Sequence, residues 1–210
     1  MTGARPGVGR GRPGVILDRD GTIIVDHGYV GTVDRVELIA GAADAIASFN
    51  RAGIPVAVIT NQSGVARGYY GLDGVQAVHD HLAARLADHG AHVDLFRFCP
   101  DHPDGTTAPF VRHSPDRKPA PGMALDVARI LGLDLSSSWV VGDGPEDMGM
   151  AVAVGATGVF VGRPGVEHAG AWTFPDLASA APMIVRRMRS AATVSGRSAG
   201  PAHAAPPARP

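Results

Sequence analysis

Val15-Ile16-Leu17-Asp18-Arg19-Asp20-Gly21-Thr22-Ile23-Ile24 decides how this chain is read. Val15 to Leu17 is an apolar run too short for a helix, with the composition of a buried strand. It ends abruptly in two carboxylates, Asp18 and Asp20, and Gly21 lets the backbone turn at once. Two acids at the mouth of a buried strand repel each other, and their pKa values rise unless a cation lies between them. A hard divalent ion with oxygen ligands, such as Mg²⁺, resolves that conflict. A plain strand followed by an Asp-rich turn fits the same stretch equally well, so the rest of the chain must decide.

Outward from this stretch, apolar runs keep ending in polar chemistry. Ile54 to Ile59 reads as a second strand and runs into Thr60-Asn61-Gln62-Ser63-Gly64. Val93 to Phe98 is a third strand, and a proline-rich connection after it closes on Asp116-Arg117-Lys118-Pro119. Trp139 to Gly142 is a fourth, leading into Asp143-Gly144-Pro145-Glu146-Asp147, and Thr157 to Val161 a fifth. Helical spacing lies between them: Gly41 to Ala52, with Ala42, Ala45, Ile46 and Phe49 on one face, then Leu72 to His89, Pro121 to Leu131, Met148 to Val154 and Asp176 to Arg189. Alternating strands and helices predict a doubly wound α/β fold. Its sheet is mainly parallel, with five strands or slightly more, helices on both faces and no large cap domain. In such sheets ligands bind outside the carboxyl ends of the strands, where all of these polar clusters would meet. Residues 14–189 are expected to form the domain, 1–13 a flexible N-terminus and 190–210 a disordered tail rich in Ala, Pro, Ser, Gly and Arg.

Composition narrows the function classes. A formal charge of -1 over 210 residues gives no field to attract nucleic acid or an anionic membrane. The one cysteine excludes an internal disulfide and points to a reducing, cytoplasmic setting. No apolar run is long enough to span a bilayer, and the first residues lack the apolar core of a secretory signal. Of 19 basic residues a single one is lysine, Lys118. A compact point charge there is not interchangeable with a planar guanidinium.

The groups expected at the strand ends are Asp18, Asp20, Thr60, Asn61, Ser63, Arg117, Lys118, Asp143 and Asp147. Carboxylates, a hard metal, an ammonium and hydroxyl donors suit phosphoryl transfer. Asp18, at the strand tip, is the better nucleophile, and Asp20 can protonate the leaving alkoxide and then activate water. Mg²⁺ would neutralise the approach of one anion to another. Lys118 and Thr60 would hold the equatorial oxygens. Arg19, between the two acids, points away by strand alternation and reads as structural.

Together the words DRDGTI (Asp18 to Ile23), DHGYV (Asp26 to Val30), TNQSGVARG (Thr60 to Gly68), CPDHP (Cys99 to Pro103), RKPAPGM (Arg117 to Met123) and VGDGPEDM (Val141 to Met148) resemble the haloacid dehalogenase-like hydrolase superfamily. Within it they are most similar to the D-glycero-D-manno-heptose 1,7-bisphosphate 7-phosphatases. The resemblance implies Asp18 as nucleophile and Mg²⁺ ligand, Asp20 as acid/base with its backbone carbonyl on the metal, and Asp143 as the third ligand. It implies Thr60 and Lys118 on the transferred phosphoryl group. Contacts to the sugar phosphate fall to Asp26, His27, Gly28, Tyr29, Asn61, Gln62, Ser63 and Arg117. A histidinol-phosphate or other small phosphomonoester phosphatase is the competing activity. A phosphate-ester-binding protein without turnover is the competing class, disfavoured by the intact Asp18, Asp20, Thr60, Lys118 and Asp143 set. A monomer with an open site is expected.

Two departures from the family pattern matter. The family holds the long loop with zinc through Cys-x-His and Cys-x-Cys, whereas these positions are Cys99, Asp101, Ser114 and Asp116 here. One thiolate candidate of three remains, so a tetrahedral zinc site is not expected. The family also often carries Lys after the fourth-strand Asp, where this chain has Gly144. Several residues keep two readings. Asp147 is either an acid behind the site or a charge on a helix N-terminus. Arg67 either reaches a second phosphate or lies on the surface. His79, His81 and His89 read as solvated, and Trp139 and Trp172 as core or core edge.

Overall fold

In the computed structural model, which describes residues 11–162 and 170–197, one sheet is built from β1 (Val15–Leu17), β2 (Val56–Asn61), β3 (Leu95–Cys99), β4 (Trp139–Gly142), β5 (Thr157–Val161) and β6 (Trp172–Phe174). Their order is β3-β2-β1-β4-β5-β6 and every pairing is parallel. β1 is central: Leu17 lies opposite Val58 on one side and Val141 on the other. The order reverses at β1, which brings the carboxyl ends of β1, β2 and β4 side by side.

Side-chain alternation sorts the core into two layers. Val15, Leu17, Val56, Val58, Val141 and Val159 face a layer formed by α1 (Ala42–Arg51), α2 (Leu72–Ala87) and α5 (Leu177–Arg197). Ile16, Ala57, Ile59 and Val140 face α3 (Gly122–Leu131) and α4 (Pro145–Val154). The doubly wound α/β reading holds, and the expected α1 face of Ala42, Ala45, Ile46 and Phe49 is buried. Asp176 caps α5, its Oδ1 accepting the Ser179 N–H at 2.7 Å.

The sheet has six strands, within the expected five or slightly more; the sixth, β6, is three residues of mixed exposure. Trp172 on it takes the second of its two readings, core edge: it is 43% exposed and lies under Arg187. Other expectations change. Arg12 is paired with the turn after α3, exchanging backbone hydrogen bonds with Gly132 and Asp134, both at 3.0 Å, so order begins before residue 14. α5 continues to Arg197, past the boundary at 189. The rest of the expected terminal segments, 1–10 and 198–210, lies outside the described residues.

His79 also departs from its expectation. It is 2% exposed and stacks on Phe96, with ring centroids 4.9 Å apart. An α2 face counted as polar thus packs against the β3 edge of the sheet. Burial, reinforced by the charge of Arg19, lowers its pKa to about 3. The folded state therefore keeps it neutral while the unfolded chain protonates near the ordinary value. Stability from this group is complete above about pH 6.5 and falls by about 1.4 kcal/mol per pH unit below it, until the folded value is reached. Urea titrations at pH 7.5 and 5.5 are expected to show a steeper loss for wild type than for His79→Phe. Identical losses would remove His79 from the acid sensitivity of the fold.

Candidate active site

Asp18 follows β1 directly, its backbone N–H donating to the Val141 carbonyl at 2.8 Å. That bond fixes the strand tip against β4 and places the Asp18 carboxylate between the β2 and β4 termini. Lys118 reaches in from the long connection after β3. Its ammonium stands 2.7 Å from Asp18 Oδ1 and 2.6 Å from Asp147 Oδ1, and donates to the Ile59 carbonyl at 3.2 Å. The side chain is 3% exposed. Burial opposes its charge, but Asp18 and Asp147 outweigh burial and hold its pKa above the ordinary value. Asn61 fixes the Lys118 backbone from both sides, accepting its N–H at 3.0 Å and donating to its carbonyl at 3.1 Å.

Asp147 combines its two readings, an acid behind the site and a charge in the first turn of α4. It is buried, and its Oδ2 accepts the Gly144 N–H at 3.2 Å while Oδ1 holds Lys118. Burial and the Asp18 charge push its carboxyl upward. Burial and the charges of Asp18 and Asp26 raise Asp143 to about 6. One carboxylate oxygen each from Asp18, Asp143 and Asp147 lies within 4.8 Å of the others. Both Asp147 oxygens are already bonded, so the open oxygens belong to Asp18 and Asp143. Gly21 makes room for this cluster: a Cβ there would collide with the Asp143 carboxylate, and its φ of 76° is in the left-handed region.

The Asp20 carboxylate lies outside that cluster. Arg19 grips it through Nε and Nη2 at 3.0–3.3 Å, and Gln62 donates to Oδ2 at 2.9 Å. Arg19 therefore turns toward Asp20, contrary to the alternation argument. It is fully buried and also holds the Val30 carbonyl at 2.8 Å. Burial and Asp18 raise the Asp20 pKa while Arg19 and Gln62 pull it back, leaving it above the ordinary range. Gln62 also donates to Thr60 Oγ1 at 2.8 Å, orienting that hydroxyl.

A cavity of about 350 Å³ opens over these groups. Asp18, Asp20, Asp26, Gly28, Tyr29, Thr60, Asn61, Gln62, Ser63 and Asp143 line it, as the sequence suggested they could. His27 and Arg117 do not: His27 Nε2 turns to Glu37 at 3.0 Å, and Arg117 donates to the Asp101 carbonyl at 3.3 Å. Tyr70 is a lining residue the sequence gave no reason to select. Its hydroxyl donates to Gln62 Oε1 at 2.9 Å, and burial pushes its pKa up to about 12. The ring fills a slot that a Cβ on Gly31 or Gly64 would close. That slot is assembled from two loops far apart in the chain, so no local pattern marks it.

The four loop positions associated with zinc draw together in another way. Cys99 is buried, and burial pushes its thiol pKa up, opposed in part by hydrogen bonds that include one with the Ser114 side chain. Ser114 Oγ accepts the Asp116 N–H at 3.3 Å. Asp101 is ion-paired to Arg112 at 2.9 Å.

A family model for haloacid dehalogenase-like hydrolases matches residues 17–155. A D-glycero-beta-D-manno-heptose-1,7-bisphosphate 7-phosphatase from Yersinia pestis is 39% identical over 183 residues, covering 84% of this chain and 97% of that one. One from Rhodopseudomonas palustris is 44% identical over 147 residues, covering 70% and 82%. The crystal structure of D,D-heptose 1,7-bisphosphate phosphatase from B. bronchiseptica, complexed with magnesium and phosphate, superposes with a TM-score of 0.73 at 33% identity, covering 83% and 99%.

Lys118 is the most constrained side chain of the site, since three acceptors surround one small ammonium. A guanidinium in that space would lose at least one of them and displace Asp18. Lys118→Arg is expected to lower kcat at saturating Mg²⁺ by roughly a hundredfold or more, the loss of about 3 kcal/mol of charge-assisted contacts. Turnover within a few-fold of wild type would refute that role.

Proposed function

The chain belongs to the haloacid dehalogenase-like hydrolase family, and we propose that it is a Mg²⁺-dependent phosphatase that removes the 7-phosphate of D-glycero-D-manno-heptose 1,7-bisphosphate through a phosphorylated Asp18. The observation that carries this reading is the buried Lys118 ammonium shared by Asp18 and Asp147 at the junction of β1, β2 and β4. Relatives named for that reaction align over nearly their full length, which supports the substrate.

The residues divide the work as follows. An Asp18 oxygen attacks phosphorus, the bond from phosphorus to the sugar oxygen breaks, and Asp20 gives its proton to the departing alkoxide. In the second half Asp20 takes a proton from water, the water oxygen attacks the phosphoryl group, and the Asp18–phosphorus bond breaks to release inorganic phosphate. The raised Asp20 pKa suits the first of these duties. Lys118 and the Thr60 hydroxyl stabilise charge on the transferring group. Asp18 and Asp143 offer the hard carboxylate oxygens that fit Mg²⁺, and a metal held there supplies neutralisation of phosphate charge. The Asp20 backbone carbonyl is the third ligand in this reading.

Zinc does not fit the loop. A thiol driven toward its neutral form, a hydroxyl and two carboxylates, one of them paired through Oδ2 with Arg112, do not make a thiolate-rich tetrahedral site. We place the reaction in the cytoplasm, in keeping with the single cysteine and with no helix among the described residues long and apolar enough to cross a membrane.

With Mg²⁺ the purified protein is expected to release phosphate from heptose 1,7-bisphosphate faster than from histidinol phosphate. Asp18→Asn should abolish release, by roughly a thousandfold or more. Preference for histidinol phosphate would overturn the substrate, and ester binding without turnover would overturn the enzyme. Elemental analysis of the same preparation should find no stoichiometric zinc; one tightly held zinc per chain would refute the reading of the loop.

A further inference from the structure

A sugar phosphate presents hydroxyls and a charge, which polar groups can hold, and also the C–H faces of its ring, which they cannot. The lining of the cavity over Asp18 is acidic or polar except for two aromatic rings, Tyr29 and Tyr70. Tyr70 is committed elsewhere, its ring in the slot beside Gly31 and Gly64 and its hydroxyl on Gln62. Tyr29 is 44% exposed and presents apolar area to the cavity.

Tyr29 holds its place against its own preference. Its φ of 55° makes it the one non-glycine residue in the left-handed region among the described residues, a conformation that bulky side chains rarely adopt. The backbone around it is pinned on both sides. Asp26 Oδ1 accepts the Gly28 N–H at 2.7 Å, and Arg35 Nη2 donates to the carbonyls of His27 and Gly28 at 2.7 and 3.1 Å. On the other side Arg19 holds the Val30 carbonyl. Those bonds fix the Tyr29 backbone and leave its ring to be placed by something else. Tyr69 meets it edge to face, with centroids 4.8 Å apart and planes at 74°. Tyr69 belongs to the loop after β2, where its N–H donates to the Gly64 carbonyl at 2.8 Å. It is 62% exposed and does not itself line the cavity. Burial therefore explains neither ring: two exposed tyrosines from separate loops meet beside the site, one of them on strained backbone.

Strain kept at a cavity wall calls for a use of the side chain that it presents. We infer that Tyr29 packs against the C–H face of the substrate's sugar ring, and that Tyr69 is the positioning residue that sets the Tyr29 ring for that contact. This rests on the sugar-phosphate reading above and adds to it a residue outside the cavity. Preference for a sugar leaving group then depends on a contact that takes no part in the bond that breaks.

The test assays the full chain with Mg²⁺ on heptose 1,7-bisphosphate and on acetyl phosphate, which has no sugar ring. Tyr69→Ala should raise KM for the bisphosphate roughly three- to tenfold, with kcat nearly kept and the acetyl phosphate KM unchanged. Tyr69→Phe keeps the ring and should stay within about twofold of wild type. Tyr29→Asn removes the other ring with a residue that tolerates left-handed backbone. It should raise the bisphosphate KM by at least as much as Tyr69→Ala, and adding Tyr69→Ala to it should raise KM no further. Losses that multiply in the double variant would show two independent effects and overturn the positioning role. Equal losses on both substrates would mark a structural brace and overturn it too. A wild type that handles the bisphosphate no better than acetyl phosphate would defeat the sugar reading itself. A wild-type preference that Tyr69→Ala retains would overturn the aromatic contact alone.

Discussion

The ammonium of Lys118 between two buried carboxylates is the contact on which the remainder of the site depends. Two strands, β1 and β4, run into acids, and three of these carboxylates lie within 4.8 Å of one another. Each pair of like charges at ~4 Å costs about 4 kcal/mol at an effective dielectric near 20. Folding the strand tips together is tolerable only with a cation among them. A single lysine performs that service from the protein side, and its ion pairs bring the end of the β3 connection onto the tips of β1 and β4. Removal of one partner from such a cluster leaves an uncompensated buried charge, typically worth 3–5 kcal/mol. The catalytic arrangement and the seam of the sheet are thus one electrostatic object.

That object explains how two acids two residues apart come to differ. Asp18 faces the ammonium and the open metal side; Asp20 is turned into the grip of Arg19 and Gln62. Arg19 also holds the carbonyl of Val30, and Tyr70 wedges between Gly31 and Gly64 while bonding Gln62. The loop over the cavity and the orientation of the Asp20 carboxylate are therefore set by the same side chains. A polar network of this kind is stable because nearly every member is satisfied by another.

Much of this was legible in the sequence because it depends on local order. Strand spacing, the polar residues terminating strands, the single lysine and the acids after β1 and β4 are all local features, and a parallel sheet converts them into one site by topology alone. What could not be read depends on contacts between distant residues. His79 lies on an α2 face that looks polar, yet β3 brings Phe96 and Phe98 against it. Tyr70 has no flanking signal, because its slot is made by Gly31 and Gly64. Arg19 was misdirected by a strand rule applied one residue beyond the strand: β1 ends at Leu17, and alternation has no force in the turn that follows. Trp172 reads as core or core edge by composition, and only the sheet order decides between them: it lies on the last strand, which among the described residues pairs with β5 alone.

Gly144 shows how charge is partitioned in this chain. The family pattern often supplies a second lysine at that position, beside the reacting group. Here the residue serves as the N-cap of α4, its N–H on Asp147. With no side chain there, Lys118 is the cation that Asp147 meets, and in the proposed reaction positive charge near phosphorus would come from that ammonium together with a metal that Asp18 and Asp143 would hold. Every other basic residue is arginine or histidine, and among the described residues none of them lines the cavity. The consequence is a division by chemistry. The compact ammonium sits among the carboxylates of the site, where distance to one oxygen matters most. The planar, multi-donor groups stand back from it: Arg19 grips Asp20 and Arg117 holds the Asp101 carbonyl.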